Sequence, residues 1–124
     1  TYQKEKIADF GDTALLITDR VEFLNRVQKA IMREGLKGYH GMVNYYDESS
    51  DCVEYWMSLI QHGMKQAAFW KRQMYSYQQE YRLLIEQPPT EKDHYILNIG
   101  PIEDISVVLD TKQALNAIAQ SCSK

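Results

Sequence analysis

The segment from Phe69 to Ile85, FWKRQMYSYQQEYRLLI, holds the residue types that come closest to chemistry. It combines three tyrosines and several cationic side chains with one glutamate, Glu80. A strand is predicted over Tyr77–Glu86, and Glu80 and Arg82 would lie about 7 Å apart on one face of it. A carboxylate there can orient a ribose hydroxyl or stabilise a developing cation, and an arginine can bind phosphate through two hydrogen bonds.

Two interpretations of this segment stay open. In the first, Glu80 and Arg82 are catalytic, and Lys71, Tyr77 and Tyr81 bind the ligand. In the second, Glu80 and Arg82 form a structural ion pair on a solvated sheet face, and the aromatic rings pack in the core and the hairpin. We favour the structural interpretation, because no second catalytic group stands out beside the pair.

Other kinds of site have weaker support. Single histidines and cysteines without metal-ligand spacing predict no metal site, and we expect no cofactor. Gly35, Gly38 and Gly41 precede a strand instead of opening a helix, so they do not predict a phosphate loop. The acidic turn of Asp47, Glu48 and Asp51 could bind magnesium but lacks the calcium-loop pattern. For this turn we favour a solvated loop.

The composition limits the classes of function. The 124 residues suit one domain, 1–124, and a net charge of −3 makes duplex nucleic acid an unlikely partner. Binding of single strands on a tyrosine face is disfavoured for the same reason. No apolar run reaches the roughly 20 residues of a membrane span. Two distant cysteines, Cys52 and Cys122, predict a reducing, cytoplasmic setting.

The first half of the chain predicts two strands and two helices. The apolar run Thr13–Thr18 indicates a strand, and a capping box at Asp19 begins a helix that ends before Gly35. Gly38–Tyr46 is rich in tyrosine and indicates a second strand, with a possible bulge at Gly41.

The loop Asp47–Asp51 then leads to a second helix over Cys52–His62. Its apolar positions recur at helical spacing: Val53, Trp56, Leu59 and Ile60. The helix is expected to continue past Gly63 into Lys65–Lys71.

The second half predicts three strands and a last helix. In the strand Tyr77–Glu86, one face is expected to pack through Tyr77, Tyr81, Leu83 and Ile85. A reverse turn over Pro88–Asp93 would pair this strand with His94–Ile99 as a hairpin.

A further strand, Ile105–Leu109, precedes a helix with a capping box at Asp110 and Gln113. The order is therefore β-α-β-α-β-β-β-α, with about three helices. Because the hairpin requires antiparallel pairing, we predict an α+β fold with a mixed, largely antiparallel sheet.

Three motifs resemble a widespread family of uncharacterised bacterial and phage proteins. The chain has a Gly-Asp strand leading to an Asp–x–x–x–Phe helix, a Val-x-Tyr strand, and a lysine followed by Tyr-(Glu/Gln)-x-Glu-(Tyr/Trp)-Arg. The matching residues are Gly11, Asp12, Asp19, Phe23, Val43, Tyr45, Lys71, Tyr77, Gln78, Glu80, Tyr81 and Arg82. Gln78 departs from the acid that is common there, which disfavours a paired-carboxylate mechanism.

The resemblance also implies a segment upstream of the Gly-Asp strand, so that this chain would be a C-terminal portion. It implies no reaction, and a role in phage–host conflict follows only by analogy. We expect an intracellular interaction or ligand-binding domain that contacts a protein partner, or a second copy, through its Tyr- and Trp-rich surface. The alternative is a nucleotide-using transferase of the NAD type with Glu80 as the essential acid, so whether the protein is an enzyme stays open.

Overall fold

A computed structural model describes residues 6–86 and 93–121 of the chain. The chain divides into two compact units. Residues 37–86 form one, called the inner unit for its place in the sequence, and the segments before and after them in the chain form the other, called the outer unit. The prediction of one domain over 1–124 stays a prediction.

The described residues include three α-helices of at least ten residues and six strands. Their order is β1 Thr13–Ile17, α1 Arg20–Arg33, β2 Lys37–Met42, β3 Asn44–Tyr46, α2 Val53–His62, β4 Trp70–Arg72, β5 Tyr81–Glu86, β6 Ser106–Asp110 and α3 Thr111–Ser121. Three short 3-10 helices add Met64–Phe69, Gln73–Gln78 and Glu103–Ile105. The α+β class is therefore confirmed, although 3-10 helices raise the number of helical segments above the three expected.

Helix α1 begins and ends at the predicted residues. The Asp19 carboxylate accepts a hydrogen bond from the Glu22 N–H at 2.9 Å and so caps the first turn. At the other end, Gly35 has a φ of +68°, and the N–H groups of Gly35 and Leu36 donate to the carbonyls of Met32 and Ile31. This is the Schellman arrangement, which glycine adopts without a steric penalty.

The outer unit is built on the antiparallel pair of β1 and β6, from Thr13 opposite Asp110 to Ile17 opposite Ser106. Helix α3 follows β6 directly and begins with the predicted capping box. The Gln113 N–H donates to the Asp110 carboxylate at 2.8 Å, and the Asp110 N–H donates to the Gln113 side chain at 3.3 Å. The buried apolar residues of this unit are Val27, Ala30, Ile105 and Ala114.

Arg26 of α1 fixes the loop before β6. Its guanidinium donates to both carboxylate oxygens of Asp104, at 2.9 and 2.6 Å, to the Pro101 carbonyl at 2.6 Å and to Glu22 at 2.8 Å. A bidentate arginine pair is geometrically specific. It therefore sets where β6 begins, even though Asp104 lies largely in solvent.

The inner unit, residues 37–86, contains two strand pairs. Strands β2 and β5 run antiparallel, from Lys37 opposite Glu86 to Met42 opposite Tyr81, and β3 and β4 run parallel. The buried residues Val43, Leu59 and Phe69 form its small core. The expected single mixed sheet is thus replaced by three separate pairs in the described residues, two antiparallel and one parallel.

The strand predicted over Gly38–Tyr46 is wrong in its continuity. It is interrupted at Val43, whose side chain is buried and whose N–H donates to the Glu80 carbonyl at 2.9 Å. The interruption lets β2 pair with β5 and β3 pair with β4. The bulge at Gly41 is also wrong, because the register of β2 and β5 runs through Gly41 opposite Arg82 without an extra residue.

The strand predicted over Tyr77–Glu86 is wrong in its first half. Residues Gln73–Gln78 form a 3-10 helix, and Gln79 takes a left-handed backbone with φ of +47°. The strand begins only at Tyr81. Of its expected packing face, Tyr81 and Leu83 are exposed and only Ile85 is half-buried, as are Arg82 and Leu84 of the opposite face.

The predicted hairpin after β5 is not formed. Residues 94–99 are not a strand, and the Asn98 carbonyl accepts a hydrogen bond from the Arg33 side chain. Of the predicted turn Pro88–Asp93, residues 88–92 lie outside the described part. The expected helix over Lys65–Lys71 becomes the 3-10 helix Met64–Phe69, and Trp70 then begins β4, because Gly63 with φ of +88° ends α2.

The two helix N-caps give a first test of the fold. We expect Asp19→Ala and Asp110→Ala each to lower the free energy of unfolding by about 1 kcal/mol, because each leaves an N–H of the first turn without its acceptor. Denaturant unfolding followed by circular dichroism measures the change. The exposed Glu103→Ala is the control, expected within about 0.5 kcal/mol of the wild type. Equal stabilities of all three variants would contradict the capping geometry.

Candidate functional site

Glu80 lies at the junction between the 3-10 helix Gln73–Gln78 and strand β5. The left-handed Gln79 reverses the chain there, and both its N–H and its side-chain amide donate to the Ser76 carbonyl, at 3.3 and 2.7 Å. Glu80 is therefore not a strand residue. The predicted spacing of 7 Å between Glu80 and Arg82 does not apply, because the turn brings the two side chains into direct contact.

Every polar group of Glu80 has a partner within the inner unit. Its carboxylate oxygens accept from Lys71 Nζ at 2.5 Å and from Arg82 Nε at 2.9 Å. Its N–H donates to the Tyr45 hydroxyl at 3.1 Å, and its carbonyl accepts from the Val43 N–H. One residue thus connects β3, β4, β5 and the turn that precedes β5.

The two cations beside Glu80 are engaged in further contacts. Lys71 Nζ also donates to the Gln78 side chain at 2.5 Å and lies 4.7 Å from the centroid of the Tyr75 ring. Arg82 donates from a terminal nitrogen to the Ala68 carbonyl at 2.7 Å. Both ends of the network are therefore attached to backbone or ring, which fixes its geometry.

The network holds the Glu80 carboxyl in its ionised form. The hydrogen bond from Lys71 lowers the pKa of Glu80 most, partial burial opposes this, and the contact with Arg82 lowers the pKa further. A general acid needs the opposite shift, toward neutral pH. With both oxygens already bonded, the carboxylate is suited to hold protein segments together.

The other predicted residues of the site are only partly brought together. Tyr77 borders the network, since its hydroxyl accepts from the Gln78 amide at 3.2 Å. Tyr81 contacts His40 instead, through a hydrogen bond and a ring contact with centroids 5.8 Å apart. The structure thus gathers Lys71, Tyr77, Glu80 and Arg82 and leaves Tyr81 on the exposed face of β5.

Among the described residues of the inner unit, two of the pockets have neither Glu80 nor Arg82 in their walls. One, of about 420 Å³, lies along β2 and is bordered by Tyr39, His40 and Phe69. The other, of about 380 Å³, lies where β3, β4 and the start of α2 meet. Aromatic residues in this second wall, among them Tyr46 and Tyr55, lie outside the segment that the sequence pattern singled out.

Helix α2 has apolar side chains on its exposed side. Val53, Trp56, Met57 and Ile60 are all exposed, and only Leu59 of the predicted apolar positions is buried. The helix predicted from the spacing of these residues is confirmed, with Leu59 on its buried side. The sequence contains a signal for this exposed apolar side. Val53, Trp56, Met57 and Ile60 recur at helical spacing, and Leu59 makes the helix apolar on a second side.

Cationic side chains of the inner unit form ion pairs with nearby acids, including one acid of the turn that could bind magnesium. Lys65 pairs with Glu86, and Arg72 pairs with Glu48 of the acidic turn. In residues 6–86 and 93–121, no three His, Cys, Asp or Glu side chains lie close enough to hold a metal ion. Over the same ranges, no helix has both the length and the apolar character of a membrane span. Cys122 lies outside the described residues.

Removing the charge of Glu80 tests the structural role of the network. We expect Glu80→Gln to lower the free energy of unfolding by about 1–3 kcal/mol at neutral pH, because Lys71 and Arg82 lose their shared anion in a half-buried position. Chemical denaturation measures it. Glu103→Gln, an exposed acid of the outer unit, is the charge-matched control. A Glu80→Gln variant as stable as this control would contradict the structural role of Glu80.

The pH dependence gives an independent test. Because the folded-state pKa of Glu80 is lowered, its contribution to stability is complete above its ordinary value of 4.5 and is lost as the pH falls through the folded value. We therefore expect the stability difference between the wild type and Glu80→Gln to be constant above 4.5 and to shrink below it. A difference that stays unchanged down to acid unfolding would contradict the ion pair.

Comparison with known proteins identifies no relative of this chain. The chain matches no protein-family model, no curated protein and no solved structure. The resemblance to bacterial and phage proteins, which rests on three short motifs, stays a prediction. Functional proposals for this chain therefore stand on the residues of the inner unit and their contacts.

Proposed function

We propose that the chain is a protein-interaction domain in which Glu80 has a structural role and the exposed side of α2 binds a second copy of the chain. The observation that carries this proposal is the exposed apolar face of α2, formed by Val53, Trp56, Met57 and Ile60. Contiguous apolar patches of this kind mark interaction sites on soluble proteins.

Helix α2 has the composition of a helix that is covered on both sides. Leu59 and the half-buried Tyr55 face the inner unit, whereas Trp56 and Ile60 face solvent. Ile60 is 77% exposed, and the neighbouring Met64 after the helix is 74% exposed. Because these exposed side chains are apolar, the exposed side of α2 gains free energy when a partner covers it.

A second copy fits this face because the face has no charge pattern that opposes self-pairing. Between Val53 and His62, Glu54 is the only acidic residue, and there is no lysine or arginine. In a two-fold arrangement centred near Ser58, the helices pack antiparallel, and Trp56 of each meets Ile60 of the other. The two Glu54 side chains are then offset by eight residues, about 12 Å along the helix axis, and do not repel closely.

The setting of this interaction follows from the sequence motifs. The resemblance favours a bacterial or phage protein, with a role in phage–host conflict as the analogy suggests, and the two distant cysteines favour the cytoplasm. The transferase alternative has less support, because the Glu80 carboxylate is occupied by Lys71 and Arg82. A thermal shift with NAD or another nucleotide, lost in Glu80→Gln, would reverse this preference.

Two exposed isoleucines make a matched pair of variants for the interface. Ile60, in α2, is 77% exposed, and Ile96, in the outer unit, is 78% exposed. We expect Ile60→Asp to weaken dimerisation at least tenfold, because it buries a charge at the centre of the apolar face. Ile96→Asp should leave the dissociation constant unchanged. Sedimentation equilibrium over a concentration series measures both.

The same series contains the outcomes that contradict the proposal. A wild-type chain that stays monomeric over the whole range would exclude the second copy as the occupant of α2. Equal weakening by Ile60→Asp and Ile96→Asp would show association through a different surface. Circular dichroism of both variants confirms that they are folded before the comparison is made.

A further inference from the structure

The pocket of about 380 Å³ has a wall of aromatic rings held in place by one another. Tyr46 of β3 stacks on Tyr55 of α2, with centroids 4.9 Å apart and planes 13° from parallel. Trp70 of β4 meets Tyr55 edge to face at 5.7 Å. Its indole N–H donates to the Ser58 hydroxyl at 3.3 Å, which fixes the orientation of the ring in the pocket wall.

The rest of the wall is acidic. Asp47, Asp51 and Glu54 line the pocket, and neither lysine nor arginine is among its lining residues. Ser49 donates to the Asp47 carboxylate from both its N–H and its hydroxyl, at 2.9 and 2.7 Å, which lowers the pKa of Asp47. The Asp47 carboxylate is therefore charged at neutral pH, and the acidic lining makes the potential in the pocket negative.

We propose that this pocket binds an alkylated ammonium group, such as trimethylammonium. Aromatic faces attract cations through the ring quadrupole, and ring-lined sites are the usual receptors of quaternary ammonium groups. The volume of about 380 Å³ lies within the range of small-molecule sites. The acidic side supplies the charge, and the rings accept the methyl groups, which need no hydrogen bonds.

Competing ligands fit this wall less well. A phosphate or carboxylate would face three like charges without an arginine or lysine to bind it. A hard metal ion prefers a shell of six or more oxygens, and four of the ten residues that line this pocket are aromatic. An apolar neutral ligand would use the rings and leave the carboxylates without a counter-charge, so the neutral isostere of the cation is the informative comparison.

Titration calorimetry with choline and with its neutral carbon isostere, 3,3-dimethylbutan-1-ol, tests the charge. We expect choline to bind about tenfold more tightly, the ratio that a cation–π contact and partial charge neutralisation supply. Peptides with and without a trimethylated lysine form the second arm. Preference for the methylated peptide over choline would identify a protein side chain as the source, and the reverse would identify a free small-molecule quaternary ammonium ion.

Variants assign the binding to this pocket. Asp51→Asn removes one exposed carboxylate, and Tyr46→Leu removes one ring; each is expected to weaken choline binding about threefold to thirtyfold. Glu103→Gln and Ile60→Asp, both outside the pocket, are expected to leave it unchanged. The Ile60 control also separates this site from dimerisation, because Ile60 belongs to the exposed face of α2 and does not line the pocket.

Two results would overturn the proposal. Equal affinities for choline and its neutral isostere, or no measurable binding of any ammonium ligand, would exclude a cation site. Full choline affinity in Asp51→Asn places the binding elsewhere, provided that thermal unfolding shows the variant to be as stable as the wild type. Because Asp51 is exposed and at a loop position, its substitution leaves the core contacts intact.

Discussion

The ion network around Glu80 is the constraint on which the inner unit depends. Lys71 comes from β4, Arg82 from β5 and Tyr45 from β3, and no other residue of this unit is bonded to all three strands among the described contacts. The anion is costly to bury alone, so the segments are held in the one arrangement that brings both cations to it. The left-handed Gln79 and the 3-10 helix before it follow from this requirement, because an extended strand would carry Glu80 away from Lys71.

Local signals in the sequence predicted the outer unit well and the inner unit poorly. The caps at Asp19 and Asp110 and the glycine at 35 act within a few residues, so their patterns determine where α1 and α3 begin or end. The pairing of β2 with β5 and of β3 with β4 depends on contacts between distant residues, which periodicity does not encode. For the candidate site, the grouping of Lys71, Glu80 and Arg82 was predictable, whereas the turn at Gln79 that joins them was not, because its tyrosine-rich surroundings favour a strand.

The aromatic residues of the inner unit divide between two tasks. Tyr46, Tyr55 and Trp70 stack or meet edge to face and leave one side of the cluster open to an acidic rim. Trp56 also touches Tyr55, at 5.1 Å between centroids, but most of its ring faces solvent with Ile60. The small buried core of Val43, Leu59 and Phe69 explains this division, since so few buried residues leave much apolar surface outside.

The first and last residues of the inner unit, Lys37 and Glu86, are register partners at the end of the β2–β5 pair. Cα atoms of such partners are separated by only about 5 Å. The two ends of the inner unit therefore lie close together, as in a domain inserted into a loop of another domain. Such an arrangement allows the inner unit to be removed or exchanged, with a short loop joining the two flanking segments.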